Sequence, residues 1–334
     1  MTQSHLQGLI HVQSEAFWIV RSQEGVICAE PLLENPSSHQ VEIQTLYSGF
    51  NGETERVIFN GEGSSEFAQS LQAPFVLGQF PAPVKYGESS VGVVINGPPA
   101  LIGQRIFCPY PHQSFYTLPE YAITPIPVHI PSQRALLLTE IERALVATWA
   151  GAPLIGENLL VVGENTVAYL TAYLLHQLRG ISVTLCAHHP LSFEIADQLR
   201  IPCITPEEIT QHYDQVYYCS AHQEHVDVID SAIAPQGKVI DCTYFMRANP
   251  LHLSARLLHL QIELVFAHPT RHQPRAQKWN NPQYKRSTAL QILEDRNLNH
   301  VLDAVETPFV DLPQKIQGIC SHNLPNRYQV VTYS

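Results

Sequence analysis

The sequence predicts an α/β fold in two parts, a β-rich first domain followed by a doubly wound parallel sheet with helices on both faces, and three observations carry that expectation. Residues 17–123 hold short apolar runs between Gly, Pro, Asn and Ser turns, with almost no helical periodicity. Residues 157–267 alternate strand-like with helix-like segments, the texture of parallel strands joined by helical crossovers. Between the two lies SQRALLLTEIERALVATWAG, residues 132–151, with apolar residues at three-to-four spacing, Ser132 placed to cap it and Gly151 to end it.

In chain order, the strands of the first part are expected at FWIV, VEIQTLY, VGVVIN and RIFCPY. The second part reads LLVVG (strand), TVAYLTAYLLHQL (helix), SVTLCA (strand), SFEIADQLR (helix), QVYYCS (strand), HVDVIDSAIA (helix), KVIDCTYF (strand), LHLSARLLHL (helix) and IELVFAH (strand). The tail resumes a mixed texture, with helices expected near 288–293 and 298–304 and a last strand near 328–332, and is expected to pack back on the first domain. The expected division is 1–130, 131–268 and 269–334.

Composition sets outer limits. A chain of 334 residues, 45% hydrophobic and 15% charged, is long enough for two globular domains. A net charge of -11 with 19 Lys and Arg argues against a nucleic-acid surface, which needs clustered cations. Seven cysteines without a C-x-x-C pair read as buried reduced thiols, and so as a cytoplasmic chain. No run approaches the ~18 apolar residues of a membrane span, so no membrane partner is expected.

Residues 159–189 carry the most informative pattern: strand, tight loop, helix and second strand at the spacing of a dinucleotide-binding βαβ unit. The intact fingerprint is G-x-G-x-x-G with an acid about 20 residues on to hold the ribose. Here Gly163 keeps the first place, Asn165 stands in the second, Ala168 in the third and Ala187 where the acid belongs. Asn165 tolerates positive φ but projects a side chain toward the pyrophosphate, and Glu164 adds negative charge beside it.

Three upstream strings add a family resemblance: LYSGFNGETE (46–55), PVKYGESSVGVV (83–94) and GQRIFCPYPHQSFYTLPEYAI (103–123). Together with the βαβ unit, and in this order, they resemble the medium-chain dehydrogenase/reductase superfamily, in particular a zinc-type alcohol dehydrogenase-like branch that lacks the zinc ligands. The resemblance implies a GroES-like β-rich domain followed by a Rossmann-type sheet. It also implies a zinc-independent, NAD(P)(H)-dependent oxidoreductase acting on a small carbonyl, alcohol or activated alkene. The alternative is a catalytically degenerate relative with a binding or scaffold role.

The matching positions then name candidates. Asn51 stands at the first zinc-ligand place, Glu88 at the histidine of the second and Glu140 near the third, a hard oxygen set from which zinc is not expected. Asn51 either orients a substrate carbonyl or satisfies its own turn. Glu88 and Glu140 serve as acid and base, or pair with Arg143 and Lys85. His112 is the single imidazole candidate for proton transfer.

The loop brings Gly163, Glu164, Asn165, Thr166 and Val167 to the phosphate position. His188 and His189 are placed for a 2′-phosphate, which favours NADP over NAD. Ser220, Thr243 and Tyr244 lie at strand ends on the ligand edge of the sheet, and the basic run 271–279 is a further anion or partner candidate. Relatives of this kind pair through their sheet edges, so a homodimer is expected by resemblance.

Overall fold

Residues 159–162 and 215–218 are buried on both faces of their strands, so this sheet has to be covered on both sides. It is: six parallel strands lie in the spatial order Cys203–Ile204, Ser182–Cys186, Asn158–Val162, Tyr213–Tyr218, Ile233–Asp241 and Glu263–Phe266. The first strand in the chain lies third, and successive strands step outward on either side, the order of a dinucleotide-binding sheet. The computed structural model describes residues 13–32, 39–62, 75–220, 226–243, 254–268, 277–322 and 325–333.

The β-rich part is built of two sheets. One has the long strand Gln40–Phe50 at its centre, with Ser90–Asn96, Arg105–Cys108 and Thr124–Pro125 to one side and Phe115–Pro119 also paired to it. On the other side the tail strand Gln329–Thr332 runs antiparallel to it, followed by Thr307–Pro308. The tail therefore completes a sheet whose central strand lies at the other end of the chain, as Val330 opposite Gly49 shows. The smaller sheet runs Glu24–Glu30, Ser14–Arg21, Val84–Lys85 and Leu77–Gly78.

Several local expectations need correction. The helix expected to start at Ser132 is two helices, Ser132–Ala135 and Leu138–Gly151, and Ser132 caps neither; its hydroxyl accepts from Arg105 instead. A helix, Gly52–Phe59, interrupts the β-rich part immediately after Asn51. At eight residues with Val, Ile and Thr in it, such a helix has little stability alone and gives almost no periodic signal. It is held by a second unanticipated helix, Leu312–His322, through a shared core of Val57, Ile58, Phe59, Leu312 and Ile316. The expected helix at 298–304 is a 3₁₀ turn, Arg296–Val301, and the tail helix is Pro282–Ile292. Of the cysteines, Cys28 is exposed and Cys203 half-buried rather than buried; the other five are buried, and all seven are free thiols.

Candidate active site

The Asn51 carboxamide oxygen accepts from Glu53 N at 3.2 Å and so caps the helix Gly52–Phe59. That cap fixes two carboxylates of the first turn, Glu53 toward the parallel sheet and Glu55 into the β-rich core. Across from Asn51, the linking helix Leu138–Gly151 presents Glu140 and, one turn later, Arg143. Arg143 donates to Glu140 Oε1 at 2.7 Å and to Glu88 Oε2 at 2.6 Å, so one guanidinium joins both candidate acids. Lys85 goes elsewhere, to Glu30 at 3.3 Å and Gln113 at 2.7 Å.

Glu140 is 1% exposed, and that burial pushes its pKa up to about 7; Arg143 opposes the rise, Glu88 adds to it, and the Asn51 amide opposes it weakly. Asn51 Nδ2 and Glu140 Oε2 are among the buried polar atoms that accept or donate no hydrogen bond within the protein. An unpartnered donor thus neighbours an unpartnered oxygen that holds or releases a proton near neutrality.

His112 is packed elsewhere. Its Nδ1 meets Ser48 Oγ at 2.6 Å, Ser48 Oγ meets Tyr333 OH at 2.9 Å, and its Nε2 lies 3.6 Å from Glu55. Phe17 and Phe50 press edge-on against the ring. Burial raises the Glu55 pKa, His112 opposes that, and the Glu88 charge adds to it, so the two polar clusters are electrostatic neighbours. The structure brings Asn51 and Glu88 together with Glu140 and Arg143, and leaves His112 behind Glu55.

The donors present do not fit a catalytic zinc. Among the described residues no three His, Cys, Asp or Glu side chains are grouped as ligands. A zinc on Glu88 and Glu140 would have to displace a guanidinium already bonded to both, and the remaining donor is an amide.

At the parallel sheet, Gly163 has φ +151 and a Cβ there would lie 2.8 Å from Cys219 O, so the first loop position needs its glycine. Asn165 does not use positive φ; at φ -135 it caps the helix Thr166–His176, its Oδ1 accepting from Ala168 N at 3.0 Å. Its amide donates to Cys219 O and, across the crevice, to Glu53. Thr166 and Val167 are buried in the first turn, and the Thr166 hydroxyl has no partner.

Glu164 turns away from this helix. Its Oε1 accepts from His188 N at 2.8 Å, His189 N at 2.6 Å and Ser192 Oγ at 3.1 Å. The backbone amides of the two histidines expected to meet a 2′-phosphate are thus bonded to a carboxylate, while the His189 ring accepts from Leu191 N and caps the helix Pro190–Gln198. Beyond His188 opens a cavity of about 260 Å³ lined by Pro206, Glu207, Asp227, Val228 and Ser231. Ser220 is buried at its strand end, Thr243 closes a turn on Asp241 Oδ1 at 2.9 Å, and Tyr244 and residues 271–276 lie outside the described residues.

Cavity, glycine turn and unpartnered Thr166 hydroxyl fit a dinucleotide along this edge; the Asn165–Glu53 bond is the one obstruction seen among the described residues. Sequence reasoning missed Glu53, Glu55, Ser192 and the cavity residues. Only the three-residue spacing of Glu140 and Arg143 was a usable local signal.

No family model matches the chain, and no curated protein matches it. Solved structures do. L-idonate 5-dehydrogenase from Escherichia coli is 12% identical and superposes with a TM-score of 0.76 over 96% of this chain and 98% of its own. 2R,3R-butanediol dehydrogenase from Bacillus subtilis, 12% identical, has a TM-score of 0.73 over 96% and 99%. An alcohol dehydrogenase from Escherichia coli solved with NADH, also 12% identical, has a TM-score of 0.72 over 96% and 99%. The chain has the medium-chain alcohol dehydrogenase fold, a GroES-like part joined to a Rossmann-type sheet.

Proposed function

We propose that the protein is a zinc-independent, nicotinamide nucleotide-dependent oxidoreductase of a small carbonyl, alcohol or activated alkene. The observation that carries this reading is the buried Asn51 amide beside Glu140, an acid whose pKa burial pushes up to about 7, at the place that matches the zinc ligands by resemblance. A substrate oxygen placed there accepts from the Asn51 amide and exchanges a proton with Glu140, while Arg143 holds both acids in place. Thr166, Val167, Glu164 and the cavity beyond His188 would hold the nucleotide, which when bound supplies or takes up a hydride at C4 of its nicotinamide.

The experiment is thermal unfolding with and without NADH or NADPH. A ligand at 100 times its dissociation constant stabilises by ~2.7 kcal/mol, a clear rise in midpoint. Absence of any shift at millimolar nucleotide rejects the reading. One observation favours a second reading, a relative kept as a binding or scaffold protein: the Asn165–Glu53 bond spans the crevice where the diphosphate would run. The same scan decides between the two.

A further inference from the structure

From the placement of Glu164 we infer that this residue is the ribose-holding acid of the nucleotide site and selects an adenosine with a free 2′-hydroxyl over one carrying a 2′-phosphate. This inference rests on the nucleotide-binding reading above. In the fingerprint the acid stands at the end of the second strand, where this chain has Ala187, buried and without a polar side chain. Glu164 restores a carboxylate at that strand end from the opposite side of the crevice, out of the glycine loop.

Three bonds fix it there. His188 N, His189 N and the Ser192 hydroxyl all donate to Oε1, so the carboxylate is oriented before any ligand arrives. Glu164 is half-buried and these three bonds all fall on Oε1, so Oε2 is the oxygen that would accept from ribose hydroxyls. The adjoining cavity of about 260 Å³ lies beyond His188, with Pro206 and Val228 as apolar lining, and would receive the adenine.

The same arrangement repels a 2′-phosphate. The two backbone donors that would bind it are already engaged, and Glu207 and Asp227 add negative charge around the cavity. Against these, the His189 ring is used as a helix cap, and among the described residues no Lys or Arg lines the cavity.

Adenosine 5′-monophosphate and adenosine 2′,5′-bisphosphate isolate this half of the site, because neither has to pass the Asn165–Glu53 bond. Calorimetric titration of the full chain is expected to show the monophosphate binding at least about tenfold more tightly than the bisphosphate. Glu164→Gln keeps an oxygen acceptor for the three donors and removes the charge, so the fold is retained. It should weaken the monophosphate about tenfold and narrow the ratio. Asp227→Asn, which leaves Glu164 untouched, should improve the bisphosphate a few-fold.

Equal or tighter binding of the bisphosphate by the native chain overturns the inference, as does a ratio that Glu164→Gln leaves unchanged. So does a failure of both probes to bind at millimolar concentration. Binding of the monophosphate without binding of NADH keeps the inference and rejects the oxidoreductase. Binding of NADH with a ratio indifferent to Glu164→Gln keeps the oxidoreductase and rejects the inference.

Discussion

At the place that matches the zinc ligands by resemblance, and at the proposed nucleotide edge, the chain carries a charge of its own. In the first it is a cation, Arg143, 8% exposed and bonded to two buried acids. In the second it is an anion, Glu164, half-exposed and bonded to two backbone amides and a hydroxyl beside an open cavity. The difference lies in burial. A buried charge that has lost its partner costs several kcal/mol, so the first replacement is built into the stability of the protein. A charge at the rim is solvated either way, and its consequences fall on ligand choice.

The largest expected effect follows from removing the inner cation. Arg143→Met leaves Glu88 and Glu140 buried without a counter-charge and should cost about 3–5 kcal/mol in urea unfolding. Adding Glu88→Gln and Glu140→Gln to that variant should recover most of the loss. If Arg143→Met alone is neutral, the inner cluster is more solvated than its burial indicates.

Next in size is the pH dependence of stability. Glu140 binds its proton more tightly folded than unfolded, since its pKa stands at about 7 against the ordinary carboxylate value of 4.5. Its contribution therefore favours folding below 4.5 and is lost as pH rises from there to about 7, above which the curve flattens. Each tenfold gain in proton affinity is worth about 1.4 kcal/mol, so Glu140→Gln should remove a fall of about 3 kcal/mol across that window. Glu55, whose pKa is also raised by burial, keeps a residual slope in that variant.

In the nucleotide loop, Asn165→Gly removes a helix cap and the amide bonds to Cys219 O and Glu53, at a cost of about 1–2 kcal/mol, and releases Glu53 from the crevice. Its stability should fall modestly while its affinity for NADH rises. An unchanged affinity would show that the bridge does not obstruct the diphosphate.

The two regions also differ in how far the sequence disclosed them. Periodicity and alternation marked the strands Asn158–Val162 and Ser182–Cys186 and the helix Thr166–His176, because each buries a continuous apolar stretch. The helices Gly52–Phe59 and Leu312–His322 stayed hidden because they stabilise one another across a long separation in the chain. Glu140 and Arg143 could be paired by their spacing on one helix; that Glu88 shares the same guanidinium depends on strand placement. For Glu164 the sequence suggested repulsion of phosphate at its own helix. The structure shows the carboxylate turned to the second strand, a rotamer choice set by donors that only the folded loop supplies.

The most direct test is NADH oxidation by exhaustively chelated protein against a panel of small aldehydes, ketones, quinones and enones. Turnover is expected that chelation leaves unchanged and that Glu140→Gln lowers by about 10²-fold or more, as for loss of a positioned acid. Activity that vanishes on chelation and returns with zinc would contradict a proton-exchanging Glu140 in place of the metal.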